Sequence, residues 1–367
     1  MNTTLHVFGN SLLNNGTTSV LDSTKSQSSL RSDSSLFCYP APDDYMFPLQ
    51  VLGCFVNPLL SLVGLFINVL CLVILVKVGL KKTTYILLFA LVMSDSWNMF
   101  ENLDFGNKIR IFGTLKSKPG YCTFEYESEM NQFLYVSQQF FGFVGLWGRT
   151  INTSIPMIIT IERILAVYFP VTFTRVVTAR SITVSCCIAY VFWLPYVIVQ
   201  IFYRRLAYFK LPSGKVVAYV ESSDFLVKNF SVLYTFTVYA LETLASYVPT
   251  CFVCLGCILI GIKVSVSISQ RRRLTREKKK QKWSPRTTRT LLVTCLIFAV
   301  THAITSLISA IASVSTQAPL LTYLLVEISA FFNILNCTSN FFVYFFCNQK
   351  LWQIFLDMTL SFRDNLH

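Results

Sequence analysis

The sequence predicts an all-α integral membrane protein: a bundle of seven transmembrane helices followed by a short amphipathic helix at the C-terminal end. Three observations support this fold class. Of the 367 residues, 53% are apolar and only 13% are charged, whereas soluble proteins carry roughly 25% charged residues. The apolar residues concentrate in seven stretches, each long enough to cross ~30 Å of hydrocarbon as a helix. Lys and Arg collect in every second segment between these stretches.

The seven stretches define the domain organisation. They lie near residues 49–76, 84–102, 131–165, 181–202, 232–263, 289–313 and 320–346. We therefore divide the chain into a disordered tail over 1–47, a helical domain over 48–346, and an amphipathic helix with a short tail over 347–367. The first segment is rich in Ser, Asn and Thr, a composition typical of disorder. In the last segment, apolar residues recur at helical spacing, which predicts a helix lying on the membrane surface.

The distribution of basic residues predicts the orientation. Most Lys and Arg lie after the first, third and fifth stretches and in the C-terminal tail. The positive-inside rule then places the N-terminus outside and the C-terminus in the cytoplasm. The glycosylation sequons at Asn2 and Asn15 agree with this orientation. We predict a multi-pass protein of the plasma membrane.

The net charge of +13 does not lead us to predict nucleic-acid binding. Its main contributor is a basic run over residues 271–280, between the fifth and sixth stretches. Such a run is typical of a segment that faces lipid headgroups. A second interpretation, in which the run also contacts an acidic cytosolic partner, stays open.

Two of the twelve cysteines stand apart from the others. Most of the twelve lie inside the apolar stretches, where a thiol behaves as a small apolar side chain. Only Cys38 and Cys122 lie clearly in extracellular segments, and cysteines in an oxidising compartment tend to pair. The sequence therefore favours a Cys38–Cys122 disulfide. Two free thiols, or a bond to Cys54, are the alternatives.

Five short motifs occur in a fixed order along the predicted helices. They are Asn68, Asp95, Glu162-Arg163-Ile164, Pro249 and Asn340-Phe341-Phe342-Val343-Tyr344. With these motifs the chain resembles the rhodopsin-like (class A) G-protein-coupled receptors, from about residue 50 to residue 362. It looks most like divergent invertebrate receptors of the chemosensory and neuropeptide type, including the molluscan chemosensory receptors.

The chain also departs from the family pattern. Phe341 replaces the proline of the helix-seven motif, and His302 and Ile304 replace the tryptophan and proline of helix six. Cys257 stands where the family has a tyrosine, and the usual cysteine at the top of helix three, near Gln138, is missing. These departures leave open whether signalling is retained.

The resemblance implies two groups of functional residues in the inner half of the bundle. Coupling to the G protein and switching are expected at Glu162, Arg163, Asn340 and Tyr344. A neighbouring ion pair between Glu162 and Arg163 is expected in the resting state; the alternative is an ordinary interfacial arginine. A polar core that could hold a sodium ion is expected at Asn68, Asp95, Asn152, Asn336 and Asn340. A carboxylate in mid-membrane costs at least ~2.5 kcal/mol unless it is partnered. The alternative for this core is a purely structural hydrogen-bond network.

A ligand pocket is expected in the outer half of the bundle. Its candidate residues are Gly145, Arg149, Glu242, His302 and Glu327. Arg149 could pair with Glu242 at rest or bind a ligand carboxylate, because guanidinium presents a planar fork of donors. A structural salt bridge is the alternative. Gly145 stands where amine receptors carry an Asp, which argues against an amine ligand and leaves room above Arg149.

A predicted β-hairpin bears on the ligand class. Two β-prone runs, 206–210 and 216–220, flank a Pro-Ser-Gly turn over 211–215. Such a hairpin resembles the lids of peptide receptors, so a short peptide is the favoured ligand.

We therefore expect a receptor that binds an extracellular peptide or small chemosensory molecule and activates a heterotrimeric G protein. Its other partners are membrane lipids, and no cofactor is expected beyond a bound sodium ion. A seven-helix protein that binds ligand without coupling is one alternative. A transporter or channel is another, although the internal repeats typical of transporters are not found. An enzyme is not expected: the sequence has no glycine-rich phosphate loop, no His/Cys cluster at metal-ligand spacing and only three histidines.

Overall fold

The computed structural model describes residues 38–39, 43–104, 121–122, 128–210, 216–237, 243–274, 285–314, 319–347 and 352–357, some of them by backbone alone. Several predictions fall outside these residues. They are the tail before residue 38 with Asn2 and Asn15, Glu242, the hairpin turn over 211–215, most of the basic run over 271–280, and the C-terminal residues 358–367. Residues 352–357 are helical.

Long helices make up most of the described chain. They are α1 Asn57–Val78, α2 Thr83–Phe100, α3 Ser128–Tyr168, α4 Ala179–Phe192, α5 Val248–Leu274, α6 Pro285–Val314 and α7 Pro319–Cys347. Shorter helical segments adjoin them: Asp43–Gln50 and Val51–Val56 before α1, Glu101–Leu103 after α2, Pro170–Val176 after α3, Leu194–Ile201 after α4, and Asp224–Lys228, Phe230–Thr235 and Thr243–Tyr247 before α5. Helix therefore begins at Asp43, earlier than the predicted start at residue 49.

The ends and breaks of these helices follow from local sequence. Pro58 occupies the first turn of α1, where its missing N–H costs no hydrogen bond. Gly79 ends α1 with a φ of 87°, a conformation that only glycine adopts readily. The fourth predicted stretch is interrupted at Trp193, just before Pro195, because a proline ring cannot continue the backbone ladder. Trp193 donates its indole N–H to Ser154 Oγ at 2.8 Å, which ties this break to α3.

In the part of the chain that the structure describes, six helical segments are long and apolar enough to cross a membrane. They are Phe47–Val78, Gln132–Tyr168, Ala179–Ile201, Thr243–Val266, Val293–Ala312 and Leu321–Val343. They match six of the seven predicted stretches. The remaining one, α2, has 18 residues and carries Asp95 and Asn98, which lower its mean hydropathy.

Burial follows the pattern of a membrane protein. Large apolar side chains on the outer faces are exposed, such as Phe66 at 72% and Ile188 at 61%, whereas Asn68 and Asp95 inside the bundle are fully buried. A soluble protein shows the opposite tendency for charged residues. The structure is therefore that of an all-α, multi-pass membrane protein.

Helix α3 lies at the centre of the bundle. It contacts α2, α4, α5 and α6, while α1 packs between α2 and α7, and α6 packs between α5 and α7. Two glycines let α2 approach α3 closely. A Cβ on Gly148 would lie 2.3 Å from the Asn98 backbone nitrogen, and one on Gly145 would lie 2.5 Å from Glu101 Cβ. Small residues that allow such close approach are typical of membrane helix interfaces.

The predicted β-hairpin is confirmed. Strand β3, Arg204–Lys210, pairs antiparallel with β4, Val216–Ser222, and the register runs from Arg204 opposite Ser222 to Lys210 opposite Val216. The Tyr135 hydroxyl of α3 donates to the Arg204 carbonyl at 3.0 Å. The hairpin is therefore anchored on the first turns of α3; we call this end of the bundle the hairpin end.

A second small sheet brings the two predicted disulfide partners together. Strand β1, Cys38–Tyr39, pairs antiparallel with β2, Tyr121–Cys122, and Cys38 lies directly opposite Cys122. Opposed residues of an antiparallel pair have Cα atoms about 4.5–5.5 Å apart. Disulfides span Cα distances of about 4.4–6.8 Å. The backbone register is therefore compatible with the predicted bond.

We expect Gly148→Ala to destabilise the protein by about 1–3 kcal/mol, because the added methyl group meets backbone atoms of α2 that cannot move independently. Gly261→Ala is the matched control: its Cβ would meet nothing within 4 Å, so the helix should gain up to about 1 kcal/mol. Thermal unfolding of the purified variants measures both. Equal unfolding temperatures for the two variants would contradict the close α2–α3 approach.

We expect peptide mapping of the non-reduced protein to recover Cys38 and Cys122 in one cross-linked peptide pair. Cys38→Ser and Cys122→Ser should each lower stability by about 2–4 kcal/mol, because the closed loop restricts the unfolded chain. The stability of the double variant should equal that of either single variant, because the same bond is lost in all three. Recovery of both residues as free thiols would contradict the predicted disulfide.

Candidate functional site

Glu162 and Arg163 form an ion pair near the end of α3 that is remote from the hairpin. Arg163 donates from its guanidinium to Glu162 Oε1 at 2.8 Å and to Thr84 Oγ1 at 3.1 Å. Thr83 donates its hydroxyl to Glu162 Oε1 at 3.4 Å. The ion pair between neighbours that the sequence led us to expect is present. The two threonines in the first turn of α2 are partners that the sequence analysis missed.

This ion pair is almost completely removed from solvent. The side chains of Arg163 and Glu162 are 12% and 1% exposed. Removing one member of a buried pair leaves the other charge uncompensated, at a cost of about 3–5 kcal/mol. The arrangement therefore holds α3 against α2 in one conformation.

The same end of α3 contacts α5 and α6. Gly256 of α5 packs on Thr160, where a Cβ would lie 2.1 Å from Thr160 Cγ2. Thr160 Oγ1 and Cys295 Sγ of α6 are 3.8 Å apart. Tyr168 donates its hydroxyl to the Leu259 carbonyl at 3.0 Å. A displacement of α5 or α6 would therefore change contacts of α3 at Thr160 and Tyr168, within about one or two turns of Arg163.

The predicted polar core residues are all buried. Asn340 of α7 donates its amide N–H to Asp95 Oδ2 of α2 at 2.8 Å. Asn68, Asn152 and Asn336 are at most 2% exposed, and Asn152 also approaches the Asp95 carboxylate. Asn340 thus belongs to the core, as predicted. The side chain of Tyr344 lies outside the described part of the chain.

Three further core residues were missed by the sequence analysis. Cys337 Sγ accepts hydrogen bonds from Asn98 Nδ2 at 3.4 Å and Asn152 Nδ2 at 3.3 Å. Asn98 Oδ1 in turn accepts one from Asn333 Nδ2 at 3.2 Å. Asn333, Cys337 and Asn340 recur at intervals of four and three residues, so they share one face of α7. That spacing is a signal in the sequence from which Asn333 and Cys337 could have been identified.

The donor set of this core fits a small cation. Four buried oxygens accept no hydrogen bond from the described residues: Asn68 Oδ1, Asp95 Oδ1, Asn152 Oδ1 and Asn336 Oδ1. Carboxylate and amide carbonyl oxygens are the ligands that hard cations prefer. Among the described residues no group of three His, Cys, Asp or Glu side chains could hold a metal. A carboxylate together with amide oxygens is a set of ligands that suits a small cation such as sodium.

Arg149, the predicted ligand-pocket arginine, forms an ion pair with Glu101 at the end of α2. The partner expected from the sequence was Glu242, which lies outside the described residues. The Arg149 side chain is 41% exposed and that of Glu101 is 27% exposed. Both side chains of this pair are therefore only partly buried.

The space predicted above Arg149 is filled by α2. Gly145 is buried, and a Cβ there would lie 2.5 Å from Glu101 Cβ and 3.0 Å from the Glu101 backbone nitrogen. The expectation that Gly145 leaves room for a ligand was therefore wrong. Its missing side chain makes room for α2 instead. Rotation of α3 about its axis, which decides this, cannot be obtained from sequence.

The other two predicted pocket residues have separate neighbours. Glu327 is buried in α7, where Asn57 of α1 donates its amide to Glu327 Oε2 at 2.7 Å and to the Glu327 carbonyl at 2.9 Å. His302 packs against Phe298 within α6, with ring centroids 4.1 Å apart and the ring planes tilted by 38°. Glu327 therefore faces α1. Arg149, Glu327 and His302 contact three different residues, which are Glu101, Asn57 and Phe298 respectively.

Together the fold and these sites define a multi-pass helical membrane protein with a buried polar core and a buried ion pair at one end of its central helix. No protein-family model matches the sequence, and no curated protein matches it either.

We expect sodium chloride to raise the unfolding temperature relative to choline chloride at equal concentration. The stabilisation would be about 2.7 kcal/mol at a sodium concentration one hundred times the dissociation constant. Asp95→Asn should abolish the difference between the salts, because it removes the carboxylate. The control Asp224→Asn alters an exposed carboxylate paired with Arg205 and should preserve it. A sodium effect that survives in Asp95→Asn would place the ion elsewhere.

Proposed function

We propose that this protein is a divergent receptor of the rhodopsin-like G-protein-coupled class, located in the plasma membrane with its N-terminus outside. It binds an extracellular ligand and activates a heterotrimeric G protein. The observation that carries the proposal is the buried Glu162–Arg163 pair at the end of α3. Buried ion pairs add little stability compared with apolar packing, and ionisable residues within membrane helices usually have a functional role.

In this proposal the ion pair is the switch. At rest, Glu162 and Thr84 hold the Arg163 guanidinium against α2. Ligand binding at the hairpin end shifts the helices, and the Thr160–Cys295 contact between α3 and α6 opens. Arg163 then leaves Glu162 and donates to backbone carbonyls of the G protein. A guanidinium suits this role because it carries five donors in a fixed planar arrangement.

The polar core connects the two ends of this switch. Asn340 joins α7 to Asp95 of α2, and Asn152 of α3 joins the same cluster through Cys337. A shift of α7 therefore changes the hydrogen bonds of α2 and α3 together. Bound sodium would add a charge at the cluster and favour the conformation in which its oxygens converge. The resting state would then be the sodium-bound one.

The favoured ligand is a short peptide. The β3–β4 hairpin is tied to α3 by Tyr135, so it provides an ordered edge beside the ligand entrance. Arg149 is partly exposed and paired with Glu101. A ligand carboxylate that takes the place of Glu101 would separate α2 from α3 near Gly145. Binding would thereby change the helix contact that also positions Asp95, which lies about 1.7 turns before Glu101.

A second candidate is a receptor-like protein that binds ligand without activating a G protein. The observation that favours it is His302, which stands where the family has tryptophan and packs on Phe298. Phe341 in place of proline also gives α7 an uninterrupted helix from Pro319 to Cys347. An uninterrupted α7 would resist the bending that a proline permits.

We expect membranes that contain this protein to catalyse ligand-dependent nucleotide exchange on an added heterotrimeric G protein. A panel of short peptides with free C-terminal carboxylates and small chemosensory molecules supplies the ligand. Arg163→Ala should lower the exchange rate at least tenfold while ligand binding and surface expression persist. Arg180→Ala, an exposed arginine at the start of α4, is the control. Intact exchange in Arg163→Ala would exclude the switch role, and binding without exchange in the parent would favour the second candidate.

A further inference from the structure

Two cysteines from different helices meet where α5 and α6 pack against α3. Cys257 of α5 and Cys295 of α6 lie within hydrogen-bonding contact of each other. The neighbouring thiols Cys186 and Cys187, by contrast, both belong to α4. A covalent bond between Cys257 and Cys295 would therefore join two separate transmembrane helices. We call these two residues the thiol pair.

Thr160 of α3 positions both members of the thiol pair. Gly256, which precedes Cys257, packs against Thr160 Cγ2 so closely that a side chain at position 256 would clash. Cys295 Sγ lies 3.8 Å from Thr160 Oγ1. The close approach of α5 at Gly256 and the contact of α6 through Cys295 therefore converge on one residue of α3. This convergence holds the two thiols at the same level of the bundle.

The Thr160 hydroxyl also determines the direction of the hydrogen bonds in the thiol pair. Thr160 donates its hydroxyl hydrogen to the Pro156 carbonyl at 2.7 Å. Its oxygen is therefore left to accept from the Cys295 S–H, and Cys295 Sγ is left to accept from the Cys257 S–H. When Cys257 loses its proton, Cys295 can donate to the Cys257 sulfur instead, which stabilises the thiolate. The thiolate is the nucleophilic form of cysteine.

The two thiols differ in their access from outside the bundle. Cys257 is half-buried, and the nearby Leu255 and Ile258 are 62% and 58% exposed on the outer surface of α5. Cys295 is only 4% exposed. A small reagent that dissolves in the bilayer therefore meets Cys257 before Cys295. A reactive thiol beside a second thiol that can resolve its oxidised form is typical of redox-sensitive sites.

We propose that the thiol pair is an oxidative modification site that reacts with organic hydroperoxides and closes a disulfide between α5 and α6. The Cys257 thiolate attacks the terminal oxygen of the hydroperoxide, the O–O bond breaks, and the thiol proton leaves with the alcohol. Cys295 Sγ then attacks the sulfur of the Cys257 sulfenic acid, and its proton leaves with the hydroxyl group as water. Two electrons pass to the peroxide, so one hydroperoxide yields one disulfide, one alcohol and one water.

The disulfide would restrict the movement of α6 relative to α5 at the level of Thr160. An S–S bond is about 2.05 Å long, so it holds the two helices together more tightly than a contact between thiols. In the proposed receptor, the Thr160–Cys295 contact opens during activation. The oxidised protein should therefore activate the G protein less than the reduced one. This consequence rests on the proposed function, whereas the formation of the bond does not.

tert-Butyl hydroperoxide, added to the full-length protein in lipid nanodiscs, tests the site. Mass mapping of non-reduced digests should recover Cys257 and Cys295 in one cross-linked pair. Cys257 should lose its free thiol at least threefold faster than Cys187, an exposed cysteine of α4. Cys254→Ser, three residues before Cys257 on α5, is the matched control and should cross-link at the parent rate. Free thiols at Cys257 and Cys295 at doses that oxidise Cys187 would overturn the proposal.

Two single variants separate the roles of the thiols. In Cys295→Ser, Cys257 should accumulate as sulfenic acid, which dimedone captures, because the thiol that resolves it is missing. In Cys257→Ser, dimedone should not label Cys295, because Cys295 is buried. Cys295→Ala replaces Cys295→Ser if thermal unfolding shows that the latter does not fold. Equal labelling of the two cysteines would contradict the proposed order of attack.

Two further measurements distinguish this inference from the proposed function. Oxidation should raise the unfolding temperature of the parent, because the new bond restricts the unfolded chain; a phosphine reductant should reverse the change, and Cys295→Ser should not show it. In the receptor, oxidation should lower ligand-dependent nucleotide exchange at least fivefold, and reduction should restore it. A missing cross-link would overturn the thiol pair whatever the G protein does. A cross-link in a protein that never catalyses exchange would support the thiol pair and count only against the proposed function.

Discussion

The burial of one carboxylate imposes the constraint on which the rest of this bundle depends. Asp95 is fully buried in the middle of α2. An ion in such a setting costs several kcal/mol unless partners compensate it. Asn340 supplies one hydrogen bond at 2.8 Å, and Asn152 and Cys337 approach from α3 and α7. Three helices are thereby fixed around a single side chain.

The positions of the other functional residues follow from how α2 and α3 meet. Gly145 and Gly148 let the two helices approach to backbone contact. This approach places Glu101 against Arg149 at one level and Thr83 and Thr84 against Glu162 and Arg163 at another. The α2–α3 interface thus includes the partly exposed Arg149–Glu101 pair, part of the polar core, and the buried Glu162–Arg163 pair. In the proposed receptor, a change at the Arg149–Glu101 pair would be transmitted to the Glu162–Arg163 pair through α2 and α3 alone.

Helices, hairpin and buried polar residues could be predicted from the sequence because they depend on local pattern. Apolar length defined the helices, β-prone runs around a turn defined β3 and β4, and the Glu162–Arg163 pair needs only neighbouring residues. The partner of Arg149 could not be predicted, because it depends on the rotation of α3 and on its distance from α2. The role of Cys337 could not be predicted for the same reason. A thiol in a membrane helix is usually counted as apolar, but Cys337 accepts two amide hydrogen bonds. Glu327, which was predicted to line a ligand pocket, accepts a hydrogen bond from Asn57 that the sequence did not indicate.

Exchange of the two side chains at the centre tests most directly whether the Asp95–Asn340 contact organises the bundle. Asp95→Asn and Asn340→Asp should each lower the free energy of unfolding by about 1–3 kcal/mol, because each removes the charge-assisted bond. The double variant restores a carboxylate opposite an amide, and its unfolding temperature should recover at least half of the summed loss. A double variant whose loss equals the sum of the single losses would show that the two residues are not coupled, and that their contact does not organise the bundle.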